Sequence, residues 1–254
     1  FEGGKSFYFS HMLNCIYDCR YCFLQGMYRS ANYVLFVNYD DFESQIIENI
    51  RSQDGSSIYY SGYDCDSLAL EPVSRFCEHF LHVFEMHPDA ILEIRTKSTQ
   101  VRCLLDRAPI PNCIIAMSFS SQESTQRFEH KVPAIKKRIQ TLKKLQGMGW
   151  QIAIRFEPII FEERLTENYR LLFEEIFHSL DVSLLHSVSL GEFRMPKTYY
   201  KNIVKLYPDE QLFGRETKMV EGMISLKDTD ADSLQKLEGI LLEYVSNDKY
   251  YLCG

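Results

Sequence analysis

Apolar positions in this chain fall into short runs that alternate with longer segments of helical spacing, the pattern of strands joined by helices. Lys5-Ser-Phe-Tyr-Phe-Ser10 reads as the first strand, and Tyr33 to Asn38 is a second extended apolar run. Asp40-Asp41 can cap a helix that carries Phe42, Ile46, Ile47 and Ile50 and stops at Asp54-Gly55. The theme then repeats: strand Ser57 to Ser61 and a helix from about Glu71 to Met86; strand Ala90 to Thr96 and a short helix near Gln100 to Asp106; strand Cys113 to Ser118 and a helix from about Ala134 to Gln146, closed by Gly147 and Gly149. Strand Trp150 to Phe156 follows, with Pro158 breaking its exit, then helix Glu167 to Leu180 and strand Leu184 to Leu190. Beyond Gly191 the pattern predicts a helix from Pro196 to Tyr207, an irregular Gly214 to Lys218 stretch and a last helix from about Ala231 to Val245.

Six strands alternating with helices define an α/β chain with too few strands for an eight-stranded barrel. The expectation is a partial (β/α)6 barrel over about residues 1–190, closed on its open side by a C-terminal helical segment, 191–254, within one domain spanning 1–254. Barrel enzymes place their chemistry at the C-terminal ends of the strands, and most strands here end in polar residues.

The exit of the first strand carries Cys15-Ile-Tyr-Asp-Cys19-Arg-Tyr-Cys22. Three thiolates so close can hold three irons of a cubic iron-sulfur cluster and leave the fourth iron open. Soft sulfur ligands suit iron-sulfur or zinc and suit hard cations poorly. The residues alone leave two readings: a site-differentiated cluster, or a zinc site completed by His11, four residues before Cys15.

Composition narrows the setting. The chain has 254 residues, 45% of them hydrophobic, enough for a sizeable core. Its other cysteines, Cys65, Cys77, Cys103, Cys113 and Cys253, show no paired spacing, so a reducing, cytoplasmic compartment is expected rather than a disulfide scaffold. No signal peptide or membrane-spanning run is evident; the chain starts at Phe1, which leaves an upstream segment open. A net charge of −7 argues against broad attraction to polyanions.

The Cys-x3-Cys-x2-Cys spacing, with Tyr21 before the last cysteine, resembles the signature of the radical S-adenosylmethionine superfamily. Further pieces in order resemble the spore photoproduct lyase family: Cys22-Phe-Leu-Gln25, Val37-Asn-Tyr-Asp-Asp41, Asp66-Ser-Leu-Ala-Leu-Glu71, Thr96-Lys97, Met117-Ser118, Phe156-Glu-Pro-Ile159 and Arg215-Glu-Thr-Lys218. The resemblance implies a [4Fe-4S] cluster on Cys15, Cys19 and Cys22, with S-adenosylmethionine on the open iron. It also implies an external electron donor and action on a pyrimidine lesion in DNA by way of a 5′-deoxyadenosyl radical. It places Lys97 and Ser118 against S-adenosylmethionine and Tyr21 beside its adenine; a monomer is expected.

Two positions depart from that pattern. The family returns a hydrogen atom to its product from a cysteine on the loop after the second strand, where this chain has Tyr63, and uses a tyrosine after the third cluster cysteine, where it has Phe23. Cys65, two residues past Tyr63, is the candidate replacement thiol, with Tyr63 beside it. Lys131, Lys136, Lys137, Arg138, Lys143 and Lys144 read as the solvated face of an outer helix. Arg155, Arg194, Lys197 and Arg215 could reach phosphates near the mouth, against Asp64, Glu157, Glu162, Glu163 and Glu192. DNA is therefore one partner among alternatives: a nucleoside, RNA or peptide substrate, or a non-catalytic metal-stabilised nucleic-acid-binding module.

Overall fold

The computed structural model describes residues 4–227 and 231–253. Its centre is one sheet of seven parallel strands laid side by side in chain order: β1 (Lys5–Phe9), β2 (Ser57–Ser61), β3 (Ala90–Thr96), β4 (Cys113–Ser118), β5 (Gln151–Ile159), β6 (Leu185–Glu192) and β7 (Tyr250–Cys253). The sheet curls into a partial barrel. The six strands expected from the sequence are all present. The seventh, β7, lies beyond the last predicted helix and extends the sheet beside β6.

The convex face packs against α1 (Tyr39–Arg51), α3 (Phe76–Glu85), α4 (Arg102–Leu105), α6 (Ile135–Gly147) and α7 (Leu165–Phe177), while the short α2 (Glu71–Ser74) precedes α3 and α5 (Gln122–Phe128) puts Phe128 in a second cluster with the cysteine loop. Tyr59, Leu92, Ile94, Ile115, Met117, Ile152, Ile154, Phe156, Val188 and Leu190 point to these helices and join Phe80, Phe84, Leu142, Leu145 and Phe173 in one apolar core. Period-2 alternation sends the intervening residues to the concave face. There Ile114, Ala116 and Ala153 make a small separate cluster. Beside it runs a polar network: Arg155 donates to Glu93 Oε2 at 2.8 Å and to Ser187 Oγ at 3.1 Å, Arg95 donates to Glu93 Oε1 at 2.9 Å, and Ser189 donates to Glu157.

Several boundaries differ from the pattern in the sequence. The helix expected over Glu71 to Met86 is two helices, α2 and α3, because Arg75 between them takes a left-handed φ of 51°. Pro158 does not end β5. It sits inside the strand where the register against β6 shifts, between Phe156 and Ile159. The periodicity missed α5, whose first turn is capped by Ser121 Oγ accepting the Ser124 N–H at 3.0 Å.

The C-terminal segment holds α8 (Lys197–Leu206) and α9 (Ala231–Leu241), as expected, but it is not purely helical. Arg194–Pro196, Met223–Leu226 and Thr217–Val220 form a three-stranded antiparallel sheet. Leu234, Leu237 and Leu241 of α9 enter the main core, and α8 docks on the one-turn helix Leu24–Met27 that follows the cysteine loop. At that contact a Cβ on Gly26 would lie 2.1 Å from the Tyr199 carbonyl oxygen, so only glycine fits. Asn202 Nδ2 donates to the Gly26 carbonyl at 2.8 Å and Tyr207 donates to Gln25 at 3.0 Å. The closing segment therefore buttresses the loop that carries the cysteines. No helix among the described residues is long and apolar enough to cross a membrane.

Candidate active site

The loop after β1 is pinned at both ends. Asn14 adopts a φ of 71°, its Nδ2 donates to the carbonyls of Ser30 (3.1 Å) and Asn32 (3.3 Å), and its Oδ1 accepts the Cys15 N–H at 2.9 Å. Farther on, Cys19 pairs with Glu129 through the backbone, the Arg20 N–H donates to the Phe128 carbonyl at 2.9 Å, and the His130 N–H donates to the Asp18 carbonyl at 3.2 Å. A loop tied to residues 128–130 and to 30–32 holds its thiols in place before any metal arrives.

Cys15, Cys19 and Cys22 line one cavity of about 180 Å³ together with Tyr21, Cys65, Asp66, Lys97 and Ser118. All of the sequence-predicted site residues but one meet there. Tyr63 does not line it: this side chain is 48% exposed and packs edge-on against Tyr8, 5.2 Å between ring centroids, and against Phe23 at 5.3 Å. Cys65, two residues on, is buried in the cavity wall.

The strand ends are joined by Asp66. Its carboxylate accepts from Thr96 Oγ1 and from the Lys97 N–H, both at 2.6 Å, and from the Leu68 N–H at 3.1 Å. Burial raises the Asp66 pKa, while these three donors and the Lys97 ammonium oppose the rise. One side chain thus fixes the β2 exit, which carries Cys65, to the β3 exit, which carries Lys97.

Glu129 is the second organising residue. It receives the Tyr21 hydroxyl, Arg138 Nη2 at 2.8 Å and, more weakly, Ser120 Oγ at 3.4 Å, and the Lys97 ammonium stands 3.3 Å away. Burial alone would raise its pKa, but Lys97, Arg138 and the Tyr21 hydroxyl bring it down to about 2. Arg138 is fully buried, not on the solvated face expected for it, because it pairs with Glu129 and also donates to the Ser118 carbonyl at 2.7 Å. Its neighbours Lys136, Lys137, Lys143 and Lys144 are exposed, as expected. Arg155 is also withdrawn from solvent, held by Glu93 on the concave face, so it is not available to a phosphate.

The donor set bears on the two metal readings. Zinc–sulfur bonds of about 2.3 Å at tetrahedral angles put sulfurs about 3.8 Å apart. Among the described residues, the group whose ligand atoms all gather within 4.8 Å of one another is Glu71, Cys77 and Cys103, and the three loop cysteines are not in it. His11, the possible fourth zinc ligand, lies outside the cavity lining, packed 4.7 Å from the Phe76 ring centroid. Burial raises the pKa of Cys15, Cys19 and Cys22, and Lys97 opposes this at Cys19 and Cys22, so the thiols give up protons when a metal binds. The Lys97 ammonium is shielded from water and makes no hydrogen bond despite its closeness to Glu129. Its donors remain available to an anionic ligand in the cavity.

A family model for spore photoproduct lyase matches residues 8–222. The chain belongs to the spore photoproduct lyase family. It is 23% identical over 202 residues to spore photoproduct lyase of Bacillus subtilis (strain 168), covering 78% of this chain and 59% of that protein. Against the Geobacillus sp. (strain Y412MC61) protein it is 23% identical over 208 residues, 80% of this chain and 61% of the relative. The chain thus spans less than two thirds of the length of these relatives. A solved variant of spore photoproduct lyase with bound AdoMet and dinucleoside spore photoproduct has the same fold, with a TM-score of 0.83 at 19% identity over 96% of this chain and 74% of that one.

Sequence reasoning did not find Glu129, and it placed Arg138 on the wrong side of its helix. A signal for Arg138 was present: Ile135, Ile139, Leu142 and Leu145 form the buried stripe of α6, and position 138 falls on that stripe. Asp66 was legible only as part of the family pattern.

Proposed function

We propose that this chain is a radical S-adenosylmethionine lyase that acts on a pyrimidine lesion in DNA, in the manner of the spore photoproduct lyases. The observation that carries the proposal is the meeting of the three loop thiols, a fourth thiol and an ammonium with unused donors in one cavity at the strand ends. Cys15, Cys19 and Cys22 would hold three irons of a [4Fe-4S] cluster. When bound and supplied with an electron by an external donor, the cluster and S-adenosylmethionine furnish the 5′-deoxyadenosyl radical that starts the reaction.

The remaining roles fall to the chain's own side chains. Lys97 pairs its ammonium with the carboxylate of S-adenosylmethionine, held by Glu129 on one side and by the Asp66 clamp on its backbone. Ser118 offers a hydroxyl from the β4 end. Tyr21 braces the cysteine loop through Glu129 and presents its ring to the cavity. Cys65 donates the hydrogen atom that quenches the carbon radical of the product: its S–H lies in the cavity wall, and Tyr63 stands outside that wall. Eight free thiols suit a reducing cytoplasm.

The burial of Arg138 and Arg155 favours a second reading of the substrate alone: of the alternatives nucleoside, RNA and peptide, a nucleoside or a peptide side chain, which needs few phosphate contacts. The deciding experiment is anaerobic incubation of the reconstituted protein with S-adenosylmethionine, reductant and ultraviolet-irradiated DNA, followed by product analysis. Repaired thymines with turnover of S-adenosylmethionine support the lyase. Cleavage of S-adenosylmethionine without loss of the lesion transfers the activity to another substrate, and an absence of iron and sulfide in the reconstituted protein overturns the radical chemistry altogether.

A further inference from the structure

Behind the active site, on the convex side of the sheet, the chain gathers a second set of soft ligands. Glu71 opens α2, Cys77 is the second residue of α3 and Cys103 the second residue of α4. Their ligand atoms all lie within 4.8 Å of one another. Glu71 and Cys77 are more than nine-tenths buried, while Cys103 is partly open to solvent.

The carboxylate is only half used. Glu71 Oε1 accepts the Cys77 N–H at 3.1 Å, but Oε2 is shielded from water and has no hydrogen-bond partner. Burial raises the Glu71 pKa, and the groups that act against the rise are Cys77, Cys103 and the Phe76 backbone, none of them a cation. A buried carboxylate in native proteins is normally paired with a cation or coordinated to a metal. Here the neighbours that a cation would need are already in place.

From this geometry we propose that Glu71, Cys77 and Cys103 form a binding site for a soft or borderline divalent cation of the zinc class, independent of the iron-sulfur site. Two sulfur ligands exclude calcium and magnesium, which bind oxygen. Three protein ligands leave a fourth tetrahedral position, and the open side at Cys103 lets solvent fill it. Binding releases the two thiol protons to solvent, and two thiolates with one carboxylate around a divalent ion leave a net charge of −1. No electron is transferred.

The site has a structural consequence. α2 follows the loop that carries Cys65 and Asp66, and α4 follows the β3 exit that carries Lys97. Already the Ser98 hydroxyl donates to the Leu68 carbonyl at 3.1 Å across the same seam. An ion held by both helices would clip these two exits together from behind, next to the clamp that Asp66 makes in front.

The test is equilibrium dialysis of the cluster-loaded protein, without oxygen, against micromolar zinc, with zinc and iron counted by mass spectrometry. The expected result is one zinc per chain in addition to the iron, together with zinc-dependent protection of Cys103 from alkylation. Cys103→Ala and Cys77→Ala should each remove the zinc and leave the iron count unchanged, whereas replacing Cys15, Cys19 and Cys22 by alanine should remove the iron and keep the zinc. Should Cys77→Ala fail to fold, Cys103→Ala decides alone, since its side chain is partly exposed. Substitution of even an indirect partner of a metal site costs about 10–100-fold in affinity, so Glu71→Gln, which keeps the acceptor for the Cys77 N–H, should weaken zinc binding at least about tenfold. The proposal is overturned if the wild-type protein retains no zinc, if zinc persists when Cys77 and Cys103 are both replaced, or if the anaerobic protein contains a Cys77–Cys103 disulfide.

Discussion

Replacing Glu129 by glutamine tests the electrostatic keystone of the site with almost no change in shape. The carboxylate is brought from its ordinary 4.5 to about 2 by Lys97, Arg138 and the Tyr21 hydroxyl acting against burial. At about 1.4 kcal/mol per pH unit, that lowering corresponds to about 3 kcal/mol of stability at neutral pH, which matches the 3–5 kcal/mol typical of breaking a buried pair. The sign follows from a depressed acid: the unfolded chain takes up the proton first, so the contribution is complete above pH 4.5 and is lost as pH falls toward 2. Urea unfolding should therefore place Glu129→Gln about 3 kcal/mol below wild type at pH 7, and the gap should narrow to about 1.5 kcal/mol at pH 3. Because Arg138 also holds the Ser118 carbonyl and Lys97 faces the cavity, the variant should bind S-adenosylmethionine more weakly while retaining its three cysteines. An unfolding midpoint equal to wild type at pH 7 would refute the reasoning, since it would mean that two buried cations lose their counter-ion without cost.

The other predictions bear on cofactor, relay and packing. Lys97→Ala should weaken S-adenosylmethionine binding by roughly ten- to hundredfold, the worth of a charge-assisted contact, in a calorimetric titration of the cluster-loaded protein; an unchanged dissociation constant would remove Lys97 from the cofactor site. Cys65→Ala should divert lesion turnover to by-products and Tyr63→Phe should not, as read by product chromatography; the opposite pattern would make tyrosine the hydrogen donor. His11, whose ring nitrogens have no partner and whose pKa burial lowers from 6.5 to about 4, disfavours the folded state as pH falls, because the unfolded chain takes a proton that the native ring refuses. His11→Phe should remove that loss, about 3 kcal/mol between pH 6.5 and pH 4, and flatten the pH profile of thermal unfolding; an equally steep profile in the variant would show that His11 is not its source.

What was legible in the sequence follows the range of the forces involved. The strands of a parallel sheet under helices are buried nearly throughout, so Cys113-Ile-Ile-Ala-Met-Ser118 announces itself as a short apolar run. The three cavity cysteines, Cys15, Cys19 and Cys22, were legible as a set because one loop contains them all. Lys97 and Ser118 were found through the family pattern, and each sits at or beside a strand's C-terminal end. The features that were missed join residues far apart in sequence. Glu129 meets Tyr21 across 108 residues, Arg155 meets Glu93 across 62, and Cys77 meets Cys103 only because α3 and α4 pack side by side. Strand β7 was missed for a different reason: Tyr250-Tyr-Leu-Cys253 is a short, half-exposed edge strand whose pattern is weak without β6 beside it.

The same long-range pairings change what the chain's charge can do. A reading by residue type counts Arg138 and Arg155 among the cations available to a nucleic acid, yet the fold spends both inside, one on Glu129 and one on Glu93. Arg20 and Arg95 are engaged as well, by Asp18 and Glu93, and stack on Tyr207 and Tyr60. Phosphate recognition depends on cations free to displace counter-ions, so a chain with a net charge of −7 that also buries arginines has little left for nonspecific grip. Under the lyase activity proposed above, selectivity would rest on the fit of an altered base in the cavity lined by Cys65 and Lys97 more than on the backbone around it. The buried arginines serve another end: they hold Glu129 and Glu93 ionised, one beside the cysteine loop and one on the concave face, and the proposed return of a hydrogen atom by Cys65 would depend on groups fixed in that way.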